Sequence, residues 1–379
     1  MAQRNPNLLR EFGWTTKKSL ENQADVSLTL ANWFQWQNPT RASLFLKATS
    51  VDELNYIYSH IVHLIFANGS LPGGPSLSIA NFVWLEQSLF LKPSFKQVLD
   101  TIYKASCQQV DFMNKAEEVR NLVNSWVETQ TRSLVKQILP PDSVDSDTKL
   151  ILANAIYFKG EWSCEFDASR TRNFDFHLLN GYSIQVPFMT RNEKRQLSAF
   201  DGFKVLKLPY KQGGNQSRAE PSFSMYIYLP NSKYGLPALV ERAGSEPGFL
   251  DRYIPYQEIN AGMFWIPKFK FEYEIELSGV LESLELVLPF KPEAGFREMV
   301  GCYPLVVSKI FHKSFIEVDE SGTEAAAATV AVMGYGCCAT RVQEFRIDFV
   351  ADHPFLYVIR EDQTGIVQFI GQVLNPSTT

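Results

Sequence analysis

The chain has 379 residues, 45% of them apolar, enough for a sizeable core. Lys plus Arg number 36 and Asp plus Glu 41, a net charge of −5; that mild acidity, with no long basic stripe, argues against nucleic acid as a partner. No stretch approaches the roughly 20 apolar residues that cross a bilayer, and the first residues, MAQRNPNLLREFGW, hold no run of signal-peptide length, so no membrane partner is expected and the simplest location is the cytoplasm.

The first third reads as helical. From Val51 to Phe66, apolar Leu54, Ile57, Ile61 and Leu64 recur three to four apart. A strand is expected at Leu77–Leu85, entered through the turn-rich LPGGPS. Helical spacing returns over Ala116–Ile138, where Val119, Leu122, Val123, Trp126, Val127, Leu134 and Ile138 share a face until Pro140-Pro141 stops it. The other face is polar, so this helix should lie on something flat and apolar. Beyond Lys149 the pattern turns to strands. Leu150–Phe158, LILANAIYF, is apolar throughout, as in a strand buried on both faces. Further strands are expected at Ser222–Pro230 and Met263–Tyr273, with a polar loop at Lys211–Pro221. Phe355–Arg360 and Ile366–Val373 flank Glu-Asp-Gln-Thr-Gly, a hairpin. No repeat and no long polar linker divides the chain, so residues 1–379 read as one α+β domain.

Searches for chemistry return little. Cys107, Cys164, Cys302, Cys337 and Cys338 are odd in number and scattered, which fits a reducing compartment and not a disulfide framework. There is no CxxC, HExxH, phosphate loop or G-x-S-x-G elbow. A cysteine nucleophile at Cys337 or Cys338 would need a base, and His312 and His353 lie beyond apolar strands. No catalytic residue, metal site or cofactor is assigned, and the chain is not read as an enzyme.

The stretch Val318–Arg341, VDESGTEAAAATVAVMGYGCCATR, is nearly featureless. It could be an Ala-rich helix or an ordinary strand. As a strand, one face carries Thr323, Ala325, Ala327, Thr329 and Ala331, all small enough to slide between other strands. Gly322 at its start suits a hinge because glycine reaches positive φ at little cost.

EVDESGTEAAAATVAV resembles the reactive-centre-loop hinge of serpins. FVADHPFLYVI (Phe349–Ile359) is similar to that family's signature, and DFVADHPF resembles plant serpins of the Z type. LANAIYFKGEW (Leu152–Trp162), VPFM (Val186–Met189), GFKVLKLPY (Gly202–Tyr210) and IPKFKFE (Ile266–Glu272) match in the same order. The likeness runs from about Ser78 to the end.

The resemblance implies one domain with a large central mixed β-sheet, surrounding helices and an exposed reactive-centre loop near residues 322–346. It implies a monomeric suicide inhibitor of serine, and by extension cysteine, endopeptidases, with no cofactor. The protease cuts the loop and is held as an acyl-enzyme while the loop inserts into the sheet. Glu320, Gly322, Thr323, Glu324, Ala325, Ala326, Ala327, Ala328 and Thr329 correspond to the hinge. Spacing from Gly322 puts the cleaved bond at Gly336–Cys337; counting back from Ile347-Asp348-Phe349 puts it at Cys338–Ala339. Lys268 and Glu320 correspond to a salt bridge at the top of the sheet, with Trp162 packed beside it. Asn154 and His312 correspond to a polar cluster controlling sheet opening, although His312 also reads as an ordinary buried histidine. The helix at Ala116–Ile138 corresponds to one that crosses the sheet and must yield. Related plant proteins extend the possible location to the extracellular space.

One departure stands out. NQADVSLTLANWFQWQ runs into NPTRASLFLKATSVDEL where the family has a further strand, a buried helix and serines of the polar cluster. Part of the N-terminal helical region is therefore expected to be missing, leaving Asn154 and His312 short of partners. A non-inhibitory or degenerate protein whose loop is only a substrate is the alternative reading, with a cysteine-dependent enzyme a distant third.

Overall fold

The computed structural model describes residue 59 and residues 74–131, 133, 135–213, 221–283, 287–294, 296–301, 305–323 and 346–377. The helix expected at Val51–Phe66 lies outside these residues except for Ser59, which is helical; the N-terminal gap and most of the loop at 322–346 also lie outside. The described chain gathers into two compact units, one drawn from Leu77–Phe158 and Glu272–Phe315, the other from Lys159–Phe271 and Ile316–Thr379.

Strands follow one another as β1 (Ser76–Glu86), β2 (Ser106–Val110), β3 (Leu150–Glu161), β4 (Arg172–His177), β5 (Ser183–Met189), β6 (Arg195–Phe200), β7 (Phe203–Pro209), β8 (Phe223–Pro230), β9 (Glu258–Ile259), β10 (Phe264–Pro267), β11 (Phe269–Glu276), β12 (Lys309–Val318), β13 (Gly322–Thr323), β14 (Phe349–Val350), β15 (Phe355–Glu361) and β16 (Val367–Val373).

In the first unit, strands lie in the order β11-β12-β3-β1-β2. β3 pairs in parallel with β12, Ile151–Tyr157 against Lys309–Phe315, and β1 pairs in parallel with β2. Both faces of β1, β3 and β12 are covered, which is why β3 is apolar at nearly every position from Leu150 to Phe158. Alternation sorts the side chains. Val83, Leu85, Leu150, Leu152 and Ile310 join a core with Phe95 of helix α1 (Pro93–Val98) and Leu99 beyond it. Phe82, Trp84, Ile151, Ala153, Ala155, Phe311 and Phe315 join a second core under helix α2 (Phe112–Gln130).

Helix α2 differs from the expected Ala116–Ile138. Asp111 caps its start by accepting the Asn114 N–H at 3.0 Å, and the backbone kinks at Lys115. The helix ends at Gln130, eight residues early. Ser133 takes a left-handed φ of 65°, which a helix cannot continue. The chain then doubles back. The Thr131 hydroxyl accepts the Val135 N–H, and the Asn124 side chain accepts the N–H groups of Ile138 and Leu139 at 2.9 and 2.8 Å. Val135, Ile138 and Leu139 are buried with the helix face, so their apolar spacing serves the return segment and not more helix. Val119, Val123 and Val127 are buried as expected, whereas Leu122 is exposed. Each buried side chain contributes about 1.5–3 kcal/mol relative to exposure.

The second unit holds a six-stranded sheet, β16-β15-β8-β7-β6-β9, and a four-stranded one, β14-β10-β5-β4. The expected Met263–Tyr273 strand is two strands, β10 and β11, broken at Lys268. β15 and β16 form the expected hairpin, whose turn is fastened by Glu361 accepting the N–H groups of Gln363 and Thr364.

Candidate functional site

The hinge is built within the second unit. After β12, the Asp319 carboxylate accepts the N–H groups of Ser321 and Gly322 at 2.9 and 3.1 Å, turning the chain back. Gly322 and Thr323 then form β13, antiparallel to both neighbours: Gly322 faces Glu161 and Thr323 faces Gly160 of β3, while Thr323 faces Val318 of β12. A side chain on Gly322 would collide with the Gly160 carbonyl and come within 2.8 Å of the Glu161 Cα. Its φ is outside the left-handed region. Glycine is therefore needed here for close backbone approach, a requirement the local sequence does not show.

Trp162 is the centre of this anchorage. Its indole is fully buried and stacks on Tyr210, centroids 4.6 Å apart and planes 17° apart. Its Nε1–H donates to the Asp319 carbonyl and its backbone N–H to the Ser321 carbonyl, both at 2.9 Å. The Tyr210 and Thr323 hydroxyls are 2.7 Å apart and both residues are buried. Burial pushes the Tyr210 phenol far above its ordinary range, so it stays a neutral hydrogen-bonding group. Lys268 Nζ lies 2.7 Å from Glu320 Oε2, and the Thr171 hydroxyl donates to Glu320 Oε1 at 2.6 Å. Burial raises the Glu320 pKa, but the hydrogen bonds from Lys268 and Thr171 outweigh it and hold the carboxyl below its usual value.

Asn154 and His312 meet in the first unit, directly opposite in the β3–β12 register. His312 Nδ1 is 2.7 Å from Asn154 Oδ1, and the Asn154 amide donates to Asn81 Oδ1 at 2.8 Å. Asn81 donates onward to the Tyr103 carbonyl at 3.5 Å. The expected shortage of partners is thus only partial: Asn81 of β1 satisfies Asn154, and the one unpaired atom of the pair is His312 Nε2. Burial pushes the His312 pKa down to about 4, so the ring is neutral and its Nδ1–H donates to Asn154.

A third feature escaped the sequence reading. Lys313 is buried, and its Nζ lies 2.6 Å from Glu272 Oε1 and 3.1 Å from Glu274 Oε2 of β11, and also donates to the Gln137 carbonyl. It ties β12 to β11 and to the segment that returns along α2. A lysine amid Ile310, Phe311, Phe315 and Ile316 was the visible signal. Tyr210, Asp319 and Thr171 also went unassigned; Tyr210 ends a quoted motif, but nothing in that motif names its partner.

Glu324, Ala325, Ala326, Ala327, Ala328 and Thr329 lie outside the described residues, as do both candidate bonds, Gly336–Cys337 and Cys338–Ala339. Of the described cysteines, Cys164 is exposed and Cys107 half-buried, its thiol pushed up by burial to about 11.

Known proteins are similar to this chain in sequence and in fold. The family model "Serpin (serine protease inhibitor)" matches residues 17–376. Serpin-ZX of Arabidopsis thaliana is 50% identical over 336 residues, 88% of this chain and 84% of that protein. Serpin-ZXA of Oryza sativa subsp. japonica is 48% identical over 330 residues, 86% of this chain and 81% of its own length. The solved structure of Arabidopsis AtSerpin1, in a native stressed conformation, superposes with a TM-score of 0.83 at 44% identity, covering 98% of this chain and 96% of that one. With the hinge strand, the mixed sheet and the sequence motifs all in place, the chain belongs to the serpin family of protease inhibitors.

Proposed function

We propose that this protein inhibits a serine endopeptidase by a suicide mechanism and acts as a monomer, without catalysing turnover of its own. The protease serine attacks a carbonyl in the loop between Thr323 and Arg346. The peptide bond breaks, an ester joins the N-terminal side of the loop to the protease, and the new amino terminus departs with the C-terminal side. Loop residues from Glu324 onward then extend β13 between β3 and β12.

One observation carries this reading: the first two residues of the loop are already paired to β3, and the second, Thr323, to β12 as well. Further insertion must break the direct β3–β12 pairing, which spans seven residue pairs. It replaces one ladder with two, so hydrogen bonds are gained as the sheet opens. The alanines that follow suit a strand buried on both faces, where bulk would overpack. A native state able to gain a strand is held by a barrier and not by its depth. Asn154, His312 and Lys313 lie where that barrier would sit, on the strands that must part.

The test is incubation with trypsin-like, elastase-like and papain-like proteases, read on a denaturing gel with mass spectrometry of the released peptide. A complex that survives denaturant with a serine enzyme is expected, and the peptide's first residue identifies Cys337 or Ala339. Cleavage by every enzyme without such a complex would leave the loop a substrate only.

A further inference from the structure

The turn joining β5 to β6 and the first residue of β6 carry two arginines with no adequate counter-charge among the described residues. Arg191 and Arg195 are each more than nine-tenths buried. The Arg191 guanidinium lies 5.0 Å from the Phe166 ring centroid and donates to the Cys164 carbonyl. The Arg195 guanidinium lies 3.7 Å from the Phe264 centroid and donates to the carbonyls of Arg191 and Glu193 at 2.7 and 2.6 Å. Phe166 and Phe264 stack on each other, centroids 6.0 Å apart.

What is missing is an anion. The buried Nε of each arginine has no hydrogen-bond partner. The one carboxylate within 4.0 Å among the described residues is Glu193, at 4.0 Å from Arg191 Nε and with a 57% exposed side chain. That is beyond hydrogen-bond length. Burial, reinforced by the Arg191 charge, lowers Arg195 to about 10, which leaves it protonated at neutral pH. Two buried cations four residues apart with unused donors are costly unless paired, and ring faces alone offset only part of that cost.

We propose that Arg191 and Arg195 form a binding site for a small oxyanion of the phosphate or sulfate class. The ligand would displace the loosely held Glu193 carboxylate and accept from both Nε–H groups. The neighbouring turn residues Asn192 and Lys194 are exposed, giving a way in. The site also borders the hinge, because the Phe166 N–H donates to the Glu320 carbonyl at 2.8 Å.

The test is a titration of the intact protein with inorganic phosphate, and separately with sulfate, by calorimetry and thermal melting, with chloride at matched ionic strength as the control. Saturable binding and a rise in Tm beyond chloride are expected, with affinity about tenfold weaker in Arg191→Gln and in Arg195→Gln, the loss of one charge-assisted hydrogen bond. No saturable signal, or binding by both variants as tight as by the unaltered protein, overturns the proposal. Should the variants not fold, crystals of the unaltered protein soaked in selenate decide it: an anomalous peak between the two Nε atoms supports the site, and its absence removes it.

Discussion

The hinge and the Asn81–Asn154–His312 cluster both hold strands β3 and β12, but by different means. At the hinge, two residues of β13 are gripped by an ion pair, an indole, a phenol and a carboxylate turn. Several of these groups reach solvent; the Lys268 side chain is 35% exposed. The cluster is neutral, buried and made of single hydrogen bonds, with His312 Nε2 left over. A grip of many partial contacts loses little when one fails. A buried chain with an orphaned nitrogen has no such reserve, and its weak point is the proton it excludes.

The largest effect should come from Trp162, the bulkiest wholly buried residue at the hinge. Trp162→Ala removes the indole, unstacks Tyr210 and frees the Asp319 carbonyl; a loss of about 3–5 kcal/mol is expected in urea unfolding. A loss below about 1 kcal/mol would show that the indole fills space without anchoring anything. The cluster is tested by pH. The folded His312 pKa of about 4 lies below the ordinary 6.5, so the unfolded chain binds the proton first. Stability from this group is complete above about pH 6.5 and declines by about 3 kcal/mol in all as pH falls to 4. His312→Leu should lack that decline; parallel curves for the two proteins would remove His312 as its source.

Smaller effects sharpen the contrast. Tyr210→Phe loses one buried hydrogen bond to Thr323, about 1 kcal/mol, and should speed hydrogen exchange at the β13 amides while sparing those of β3 beside His312. Exchange rising equally at both would mean that the hinge does not open by itself. Glu320→Gln should cost at most about 1 kcal/mol at pH 7, because the partly exposed Lys268 leaves the pair screened. The Glu320 carboxyl is held below its usual value, so its contribution is present above the ordinary carboxylate pKa and fades as pH falls through the folded value. The glutamine variant should lose that acid-side dependence, a change visible in urea midpoints between pH 5 and 3.

The fold was legible where the period of the sequence matched one buried environment. LILANAIYF reads as β3 because both its faces are covered, and the hairpin residues flank a turn of fixed chemistry. The end of α2 was not legible: Ile138 keeps helical spacing with Val127, yet it reaches the same core by a return segment that Asn124 and Thr131 hold through side-chain bonds. Motif likeness placed Trp162, Lys268 and Glu320 near the hinge but could not pair Tyr210 with Thr323, because 113 residues separate them. Nor could it show why position 322 is glycine. The reason is the backbone of Gly160, and nothing in the local sequence points across that gap.

The paired state of Gly322 and Thr323 has a kinetic meaning. Zipping a strand into a sheet is slowest at its first contacts, when chain entropy is lost and little is returned. Here that nucleus is formed in advance and welded to the sheet's top edge. Every later residue would be added by propagation, each step fixing one more residue beside a ladder already begun. Under the proposed mechanism, a cut loop would then race the protease's own deacylation with its slowest step behind it. The two residues that begin the strand would set the tempo of the whole device.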